Sequence, residues 1–243
     1  MLEAFSLTDI GKKRTTNQDF VYATVSPIGN LPNLFVVADG MGGYNGGDYA
    51  SSYAVDVIKE TAAQSKEKNP RRIFEAAITE ANSAVRKKAM ESPDLEGMGT
   101  TVVIASFVDG VLQIANVGDS RLYIVDDDIR QITEDHSYVE EMIKVGSLDR
   151  ESARNHPQKN IITRAVGATE EVVPDFFTVK LKKDDLVLMC TDGLTNMVED
   201  NAILTILKED KDVKSKTEEL VKAANDNGGK DNISVILIGE LAD

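Results

Sequence analysis

The sequence has very few of the residues that build disulfides and zinc sites. Among its 243 residues are one cysteine and two histidines. A single cysteine excludes an internal disulfide, and the position of Cys190 inside the apolar run LVLMCT favours a buried packing residue. The histidines, His136 and His156, are too few for a zinc site and stand away from the acidic motifs described below.

Positive charge and long apolar runs are also scarce. The chain has 27 Lys and Arg against 41 Asp and Glu, a formal net charge of −14. Such a surface repels nucleic acid and anionic membranes, and it leaves divalent cations as natural partners. No stretch approaches the roughly 20 apolar residues of a membrane span, and the start, MLEAFSLTDIG, lacks the segments of a signal peptide. We therefore expect a cytoplasmic protein with no membrane span and no nucleic-acid partner.

The overall composition is that of an ordinary folded domain. Hydrophobic residues make up 42% and charged residues 28% of the chain, which separates it from disordered proteins. A chain of this length can bury a large core. It contains neither an internal repeat nor a recognisable linker, so we expect one domain over residues 1–243. A monomer is the default expectation.

Short apolar runs in the first half predict strands. These runs are AFSLTDI, FVYATVS, LFVVA, TVVIASFV and VLQIANV, and the hairpin dipeptide Asp109-Gly110 joins the last two. Between the third and fourth runs, apolar residues recur at helical spacing in two stretches that Pro70 separates. They are Ala50, Tyr53, Ala54, Val57 and Ile58 in the first stretch, and Phe74, Ala77, Ile78, Ala81 and Val85 in the second.

The second half has the same mixture of elements. The runs RLYIV, IRQIT, FFTVKL, LVLMC and ISVILIG predict strands, and SYVEEMIKVG predicts a short helix that ends at Gly146. Residues 147–165 are polar without a long periodic run, which predicts a mobile surface segment. Two helices are expected before the last strand, one capped by Asp200 and the other running from about Ser215 to Asn225.

Hairpin-linked strands and paired helices, without regular alternation of strand and helix, indicate an α+β fold with antiparallel sheets. Several predicted strands, including LFVVA, TVVIA and LVLMC, are apolar on both faces. Such strands need cover on both sides. Two stacked sheets with helices packed outside them would provide it.

Aspartates stand at the ends of these predicted strands. The set is Asp19 before FVYATV, Asp39 after LFVVA, Asp119 after IANVG, Asp192 after LVLMCT and Asp231 before NISVILI. Each has a glycine or asparagine nearby, so any one of them alone is better explained as a turn residue. Strands lying side by side, however, would bring several carboxylates to one edge, where they repel unless a cation lies between them. Oxygen ligands without clustered His or Cys select Mg²⁺, Mn²⁺ or Ca²⁺.

Asp39 opens a glycine-rich stretch, DGMGGYNGG, that resembles a phosphate cradle. Cradles of that kind bind an anion through backbone N–H groups, and a carboxylate would repel the phosphate unless a cation sat between them. We therefore interpret Asp39 as a metal ligand. The glycines let backbone and water approach the ion, and the Gly40 carbonyl is a candidate further ligand.

Six motifs in order carry a resemblance to a known family. They are RTTNQDF, VVADGMGG, GMGTTVV, NVGDSRLY, CTDGLTNMV and GGKDNISV, and the match spans nearly the whole chain, from Gly11 to Val235. With these motifs the chain resembles the bacterial metal-dependent type 2C (PPM) serine/threonine protein phosphatases. The resemblance implies a four-layer αββα sandwich, with two antiparallel sheets flanked by pairs of helices.

The resemblance also implies a site for two Mn²⁺ or Mg²⁺ ions in a cleft at one edge of the sandwich. Asp39 bridges the two ions, Asp192 and Asp231 complete one of them, and the Gly40 carbonyl holds the other, with Asp19 acting through water. Ions roughly 3.5–4 Å apart can share a hydroxide and lower its pKa toward neutrality. The implied reaction is direct attack of that hydroxide on phosphoserine or phosphothreonine, with no phosphorylated enzyme residue.

Other residues take their expected roles from the same resemblance. Arg14 falls at the position of a phosphate-binding arginine, and its planar fork suits two phosphate oxygens. Asp119 falls where many bacterial members bind a third, weaker ion together with Asp192. Met41 replaces the histidine that animal relatives have as a proposed general acid, so protonation of the leaving group is unassigned.

The segment from about 146 to 161 resembles the substrate flap of this family. For His156, within it, substrate contact and structural anchoring are equally good interpretations, whereas His136 is interpreted as structural. The implied partners are phosphorylated proteins and a cognate serine/threonine kinase. The main alternative is a non-catalytic metal- or phosphoprotein-binding relative of the same fold; a nuclease is disfavoured because the chain has no basic stripe.

Overall fold

The computed structural model describes residues 2–42 and 46–240. Gly43, in the glycine-rich stretch, lies outside them. The strands are Leu2–Asp9 (β1), Asp19–Thr24 (β2), Leu34–Met41 (β3), Gly99–Thr100 (β4), Val102–Val108 (β5), Val111–Val117 (β6), Arg121–Val125 (β7), Ile129–Gln131 (β8), Asp175–Lys180 (β9), Leu186–Cys190 (β10) and Ile233–Glu240 (β11). The helices are Gly47–Gln64 (α1), Pro70–Glu91 (α2), Tyr138–Lys144 (α3), Arg150–Arg154 (α4), Asp192–Thr195 (α5), Asp200–Leu207 (α6) and Val213–Asp226 (α7).

The strands form two sheets in which all the pairings are antiparallel. One sheet has the order β1-β11-β10-β7-β8. The other has the order β2-β3-β5-β6-β9, with the short β4 paired to β3. The chain therefore crosses between the sheets several times, and one of these crossings, from β6 to β7, is important for the site described below.

Three separate hydrophobic cores show that the molecule has four layers. One core lies between α1, α2 and the β2-β3-β5 sheet, and it contains Ile58, Phe74 and Ile78. A second lies between the two sheets. The third lies between the β1-β11-β10 sheet and the helices α6 and α7, with Ile203 and Leu220. The predicted αββα sandwich is confirmed.

Strand β3 shows why both faces of the central strands are apolar. Successive side chains of a strand point to opposite faces. Leu34, Val36 and Ala38 accordingly pack in the helix-facing core, while Phe35 and Val37 pack between the sheets. A run such as LFVVA is a strand buried on both sides, as the sequence predicted.

The starts of two helices differ from the predictions. Helix α6 begins at Asp200, with Glu199 at the N-cap, so Asp200 is the first helical residue and not the cap. Helix α7 starts at Val213 because the Asp212 side chain accepts a hydrogen bond from the backbone of Ser215 and caps it there.

A short helix also lies inside residues 147–165, which the sequence predicted to be a mobile surface segment. The Asp149 side chain caps α4 by accepting a hydrogen bond from the Ser152 backbone at 2.8 Å. Five residues are too few to give a periodic apolar pattern, so only this cap signal could have predicted the helix.

No helix in the described part of the chain is long and apolar enough to cross a membrane.

Candidate functional site

A cleft of about 600 Å³ opens where β2 and β3 of one sheet approach β11 of the other. Its walls include most of the residues selected from the sequence. They are Arg14, Asp39, Gly40, Met41, Asp119, Asp192 and Asp231. Asp19 lies behind this surface and is buried.

Asp19 and Asp39 are held together by strand pairing. They are directly opposite each other in the antiparallel register of β2 and β3, so their side chains lie on the same face of the sheet. The backbone of Asp39 is fixed by Thr101, whose hydroxyl accepts its N–H at 3.0 Å, and by Thr100, whose hydroxyl donates to its carbonyl at 2.9 Å. The position of Asp39 is therefore set by backbone contacts that leave its carboxylate free.

Asp192 and Asp231 come from the other sheet. Asp192 is the first residue of α5, directly after β10, and Asp231 stands just before β11, the neighbour of β10. From the sequence, strands lying side by side were expected to bring the acidic strand ends to one edge. The structure instead brings them together from two facing sheets, because β2 and β3 belong to one sheet and β10 and β11 to the other.

Asp119 lies on the loop that crosses from β6 in one sheet to β7 in the other. Gly118 has a φ of +108°, and a Cβ there would lie 2.6 Å from the side chain of Thr101, so the turn requires glycine. The hydroxyls of Thr101 and Ser120 are 2.8 Å apart and hydrogen-bonded. Thr101 therefore links the loop of Asp119 to the backbone of Asp39.

The carboxylates of this site share an environment that disfavours their charge. Burial raises the pKa of Asp19 to about 7 and the pKa of Asp192 to about 6. Burial likewise raises the pKa of Asp39 and of Asp119 well above the usual range, and the neighbouring carboxylates add to the shift. Such a group of acids is stable in its charged form only if a cation compensates it.

Two carboxylates also have an oxygen without a hydrogen-bond donor. Asp19 Oδ2 accepts from the Thr191 hydroxyl at 2.8 Å, and Asp192 Oδ2 accepts from the Asn196 amide at 2.8 Å. The other oxygen of each, Oδ1, is buried and has no partner among the described residues. A buried oxygen of this kind is costly, and an all-oxygen set of such atoms fits a hard cation such as Mg²⁺ or Mn²⁺.

The side chains are not arranged around an ion as they stand. Within residues 2–42 and 46–240, no group of three or more His, Cys, Asp or Glu is placed to hold a metal. Asp231 is engaged elsewhere, because its Oδ2 accepts from Arg14 at 2.7 Å and its Oδ1 accepts from the Asn232 backbone at 2.8 Å. The backbone brings the candidate ligand residues together, and Asp231 would have to leave Arg14 and turn toward the others to enclose an ion.

Arg14 reaches the cleft on the loop between β1 and β2. The loop is fixed by Asn232, whose amide donates to the carbonyls of Ile10 and Thr16 and whose Oδ1 accepts from the Gln18 backbone. This places Arg14 beside Asp231 at the cleft wall.

Glycine permits two close backbone approaches at the site. A Cβ on Gly40 would lie 1.9 Å from the carbonyl oxygen of Gly47, and one on Gly193 would lie 1.8 Å from that of Asn232. The first contact joins β3 to α1, and the second joins α5 to the segment that carries Asp231.

The segment from 146 to 161 lies over one side of this region. Asn160, in this segment, and Ile162, just after it, contribute to the cleft wall. His156 is half-buried, its ring centroid is 6.3 Å from that of Tyr138, and its Nδ1 accepts from the Gln158 backbone at 3.2 Å. These contacts are those of a structural anchor, and substrate contact by His156 stays a prediction.

His136 is buried beneath the Asp119 loop, which agrees with its structural interpretation. Its backbone N–H donates to the Gly118 carbonyl at 2.9 Å, and its Nδ1 accepts from the Gly118 N–H at 3.0 Å. On the other side of the ring, Nε2 lies 3.0 Å from Asp175 Oδ2, and Arg164 donates to Asp175 Oδ1. His136, with a neutral ring, therefore holds the loop that carries Asp119 through two hydrogen bonds to Gly118.

Two residues that orient the carboxylates, Thr191 and Asn196, were not predicted from the sequence. Asn196 follows Asp192 by four residues, the spacing at which side chains meet on one face of a helix. That spacing could have predicted the contact. Nothing in the sequence pattern relates Thr191 to Asp19, which is 172 residues away.

We expect His136 to make the protein sensitive to acid. Burial and Arg164 lower its pKa below the ordinary 6.5, and Asp175 only partly opposes them. A group with a lowered pKa binds fewer protons when folded, so its contribution is complete above about pH 6.5 and declines as the pH falls below that value. His136→Asn keeps an acceptor near the Nδ1 position and cannot titrate.

The measurement is the free energy of unfolding between about pH 7.5 and about pH 5. The His136→Asn variant should lose less stability over this interval than the wild type. Equal slopes for the two proteins would show that His136 does not carry the effect.

Comparison with known proteins places the chain in a family. A family model described as Protein phosphatase 2C matches residues 11–237. The serine/threonine phosphatase stp of Listeria innocua is 41% identical over 236 residues, which are 95% of this chain and 93% of that protein.

Solved structures give the same result. The serine/threonine phosphatase Stp1 from Staphylococcus aureus superposes with a TM-score of 0.93 at 35% identity, covering 100% of this chain and 96% of that one. The catalytic domain of the phosphatase PstP, solved with two manganese ions, has a TM-score of 0.86 at 31% identity and covers 98% and 97%. The predicted resemblance and the prediction of a protein phosphatase are confirmed. The chain belongs to the protein phosphatase 2C family.

Proposed function

We propose that this protein dephosphorylates phosphoserine and phosphothreonine in other proteins, with two Mn²⁺ or Mg²⁺ ions as cofactors and direct attack of water on phosphorus. The observation that carries the proposal is the meeting of Asp19 and Asp39 with Asp192 at a cleft that also holds Arg14. When bound, such ions supply an activated water and neutralise phosphate charge. The manganese-bound relative supports this choice of cofactor.

The proposed ligands divide between the two sheets. Asp39 would be shared by both ions, Asp192 and Asp231 would complete one of them, and the Gly40 carbonyl would hold the other with Asp19 behind it. Asp19 and Asp192 each have one oxygen anchored and one without a donor, as a preformed ligand requires. Asp119, on the crossing loop, would serve a weaker third ion together with Asp192.

Arg14 and Asp231 would separate when the site is loaded. The guanidinium donates from Nη2 to Asp231 Oδ2 in the structure, so turning both arms of its fork toward a phosphate would break that contact. The same movement releases Asp231 for its role as a ligand. The pair is half-exposed, with Arg14 at 48% and Asp231 at 31% side-chain exposure, so the exchange breaks a pair of low stability.

No side chain in this account is phosphorylated during the reaction. Cys190, the single thiol, is buried in the core, and burial raises its pKa, which keeps it protonated and unreactive. Met41 lines the cleft but cannot donate a proton, so the leaving alkoxide would be protonated by water.

The physiological setting is part of the proposal. The partners would be phosphoproteins and a cognate serine/threonine kinase whose action the enzyme reverses, with the protein acting as a cytoplasmic monomer. One domain over residues 1–243 would carry the activity, with the segment from about 146 to 161 as a flap that contacts the phosphoprotein.

The direct test is hydrolysis of p-nitrophenyl phosphate with Mn²⁺, with and without EDTA, together with calorimetric titration of Mn²⁺. We expect turnover that requires the metal, and we expect Asp39→Asn to lose both turnover and Mn²⁺ binding because it removes charge shared by two ions. Metal binding without turnover would favour the non-catalytic alternative. Unchanged Mn²⁺ binding by Asp39→Asn would contradict its bridging role.

Arg14 should contribute to phosphate binding and not to metal binding. We expect Arg14→Ala to raise KM and weaken inhibition by inorganic phosphate while Mn²⁺ binding is retained. Arg14→Lys should restore little, because an ammonium cannot make the two parallel contacts of a guanidinium. Steady-state kinetics of the three proteins decide this, and a Lys variant with wild-type kinetics would refute it.

A further inference from the structure

A line of hydrogen bonds connects the segment above the cleft to the carboxylate of Asp192. Lys159, at the end of that segment, donates from Nζ to Asn196 Oδ1 at 2.9 Å. Asn196 in turn donates from Nδ2 to Asp192 Oδ2 at 2.8 Å. The three side chains form one chain of contacts that runs from a cation outside the ligand set to a proposed ligand.

The amide in the middle can satisfy both neighbours in only one orientation. An ammonium group has donors alone, and a carboxylate has acceptors alone, whereas an amide has one end of each kind. With its oxygen toward Lys159 and its nitrogen toward Asp192, Asn196 makes both contacts. Rotated by half a turn it would make neither, so the lysine selects the orientation that holds Asp192.

The contact matters because it fixes one oxygen of Asp192 with a hydrogen bond and leaves the other oxygen available to a cation. Oδ2 accepts from Asn196, while Oδ1 is buried without a donor. Without the amide, the carboxylate could rotate about its Cβ–Cγ bond, and the partnerless oxygen would have no fixed direction. Groups that orient a ligand in this way commonly change metal affinity although they never touch the ion.

A second contact ties the same segment to the same helix. Arg154, in α4, donates from Nη2 to the Thr195 carbonyl at 3.4 Å, and its Nε lies 3.7 Å from Glu199. Arg154 and Lys159 therefore both attach residues 150–159 to the end of α5, the helix that begins with Asp192. Movement of this segment away from the core would break the lysine contact.

We propose that Lys159 is a positioning residue that acts through Asn196 to orient Asp192 for metal binding, so that metal affinity and the position of residues 147–161 depend on each other. This rests on the proposed function, in which Asp192 is a ligand. Coupling between two binding equilibria is reciprocal. The docked segment strengthens metal binding, and bound metal holds the segment in place.

The first experiment measures Mn²⁺ affinity of the full chain by calorimetry. We expect about tenfold weaker binding in Asn196→Ala and a loss of about three- to tenfold in Lys159→Met. The double variant should be no weaker than Asn196→Ala, because the lysine acts only through the amide. Lys159→Arg, which keeps a donor-only cation, should retain more affinity than Lys159→Met.

The matched control is Lys183→Met, which removes an exposed lysine from the turn at the opposite end of β10. Its Mn²⁺ affinity should equal that of the wild type. Thermal unfolding of each variant in EDTA shows whether it is folded, so a loss of affinity is not mistaken for a loss of structure.

The second experiment is hydrogen exchange of the amides of residues 147–161 with Mn²⁺ and with EDTA. Manganese should slow exchange in this segment in the wild type and in Lys183→Met, and the effect should be absent or much smaller in Lys159→Met and Asn196→Ala. A lysine that merely tethers the segment would change its exchange in EDTA but would leave Mn²⁺ affinity unaltered.

The outcomes separate this inference from the proposed function. If the wild type binds no Mn²⁺, or Asp192→Asn binds it as well as the wild type, the proposed site itself is wrong. If that site stands but Lys159→Met binds Mn²⁺ like Lys183→Met, or the losses of the two single variants multiply in the double variant, the coupling through Asn196 is refuted.

Discussion

Repulsion among buried carboxylates is the constraint on which the rest of this structure depends. Asp39 lies among Asp19, Asp192, Asp119 and Asp231, and both burial and these neighbours raise its pKa. Such a cluster would be unstable without cations. The fold nevertheless fixes the backbone of Asp39 and anchors one oxygen each of Asp19 and Asp192. The fold thus holds these carboxylates close together at a cost in stability, as the proposed cation site requires.

The sandwich provides the rigid framework that holds these aspartates close together. Strands buried on both faces form rigid sheets, and two such sheets meet at the cleft with the proposed ligands at the strand ends. The crossing loop of Asp119 is held from two directions, by Thr101 and by His136. Arg14 and Asp119 lie on loops, but the contacts that position these loops come from the sheets and from buried polar side chains.

The sequence predicted the layers and the acids better than it predicted the contacts among them. Runs that are apolar on both faces, such as LFVVA, predicted sheets covered on both sides. Aspartates at the strand ends predicted the candidate ligands. That they meet from two facing sheets could not be predicted, because strand order is a tertiary property. Nor could the Arg14–Asp231 pair or the Lys159–Asn196 contact, since each joins residues distant in sequence. Helix α4 was missed because it is too short to show a period.

The central claim is that Asp39 joins two cations at the meeting point of the sheets. The most direct measurement is anomalous X-ray scattering from crystals of the protein grown with Mn²⁺. We predict two strong peaks that both contact Asp39, with Asp231 released from Arg14. A weaker peak should appear beside Asp119 when the Mn²⁺ concentration is raised. An absence of peaks at this cleft, or a peak that Asp39 does not contact, would contradict it.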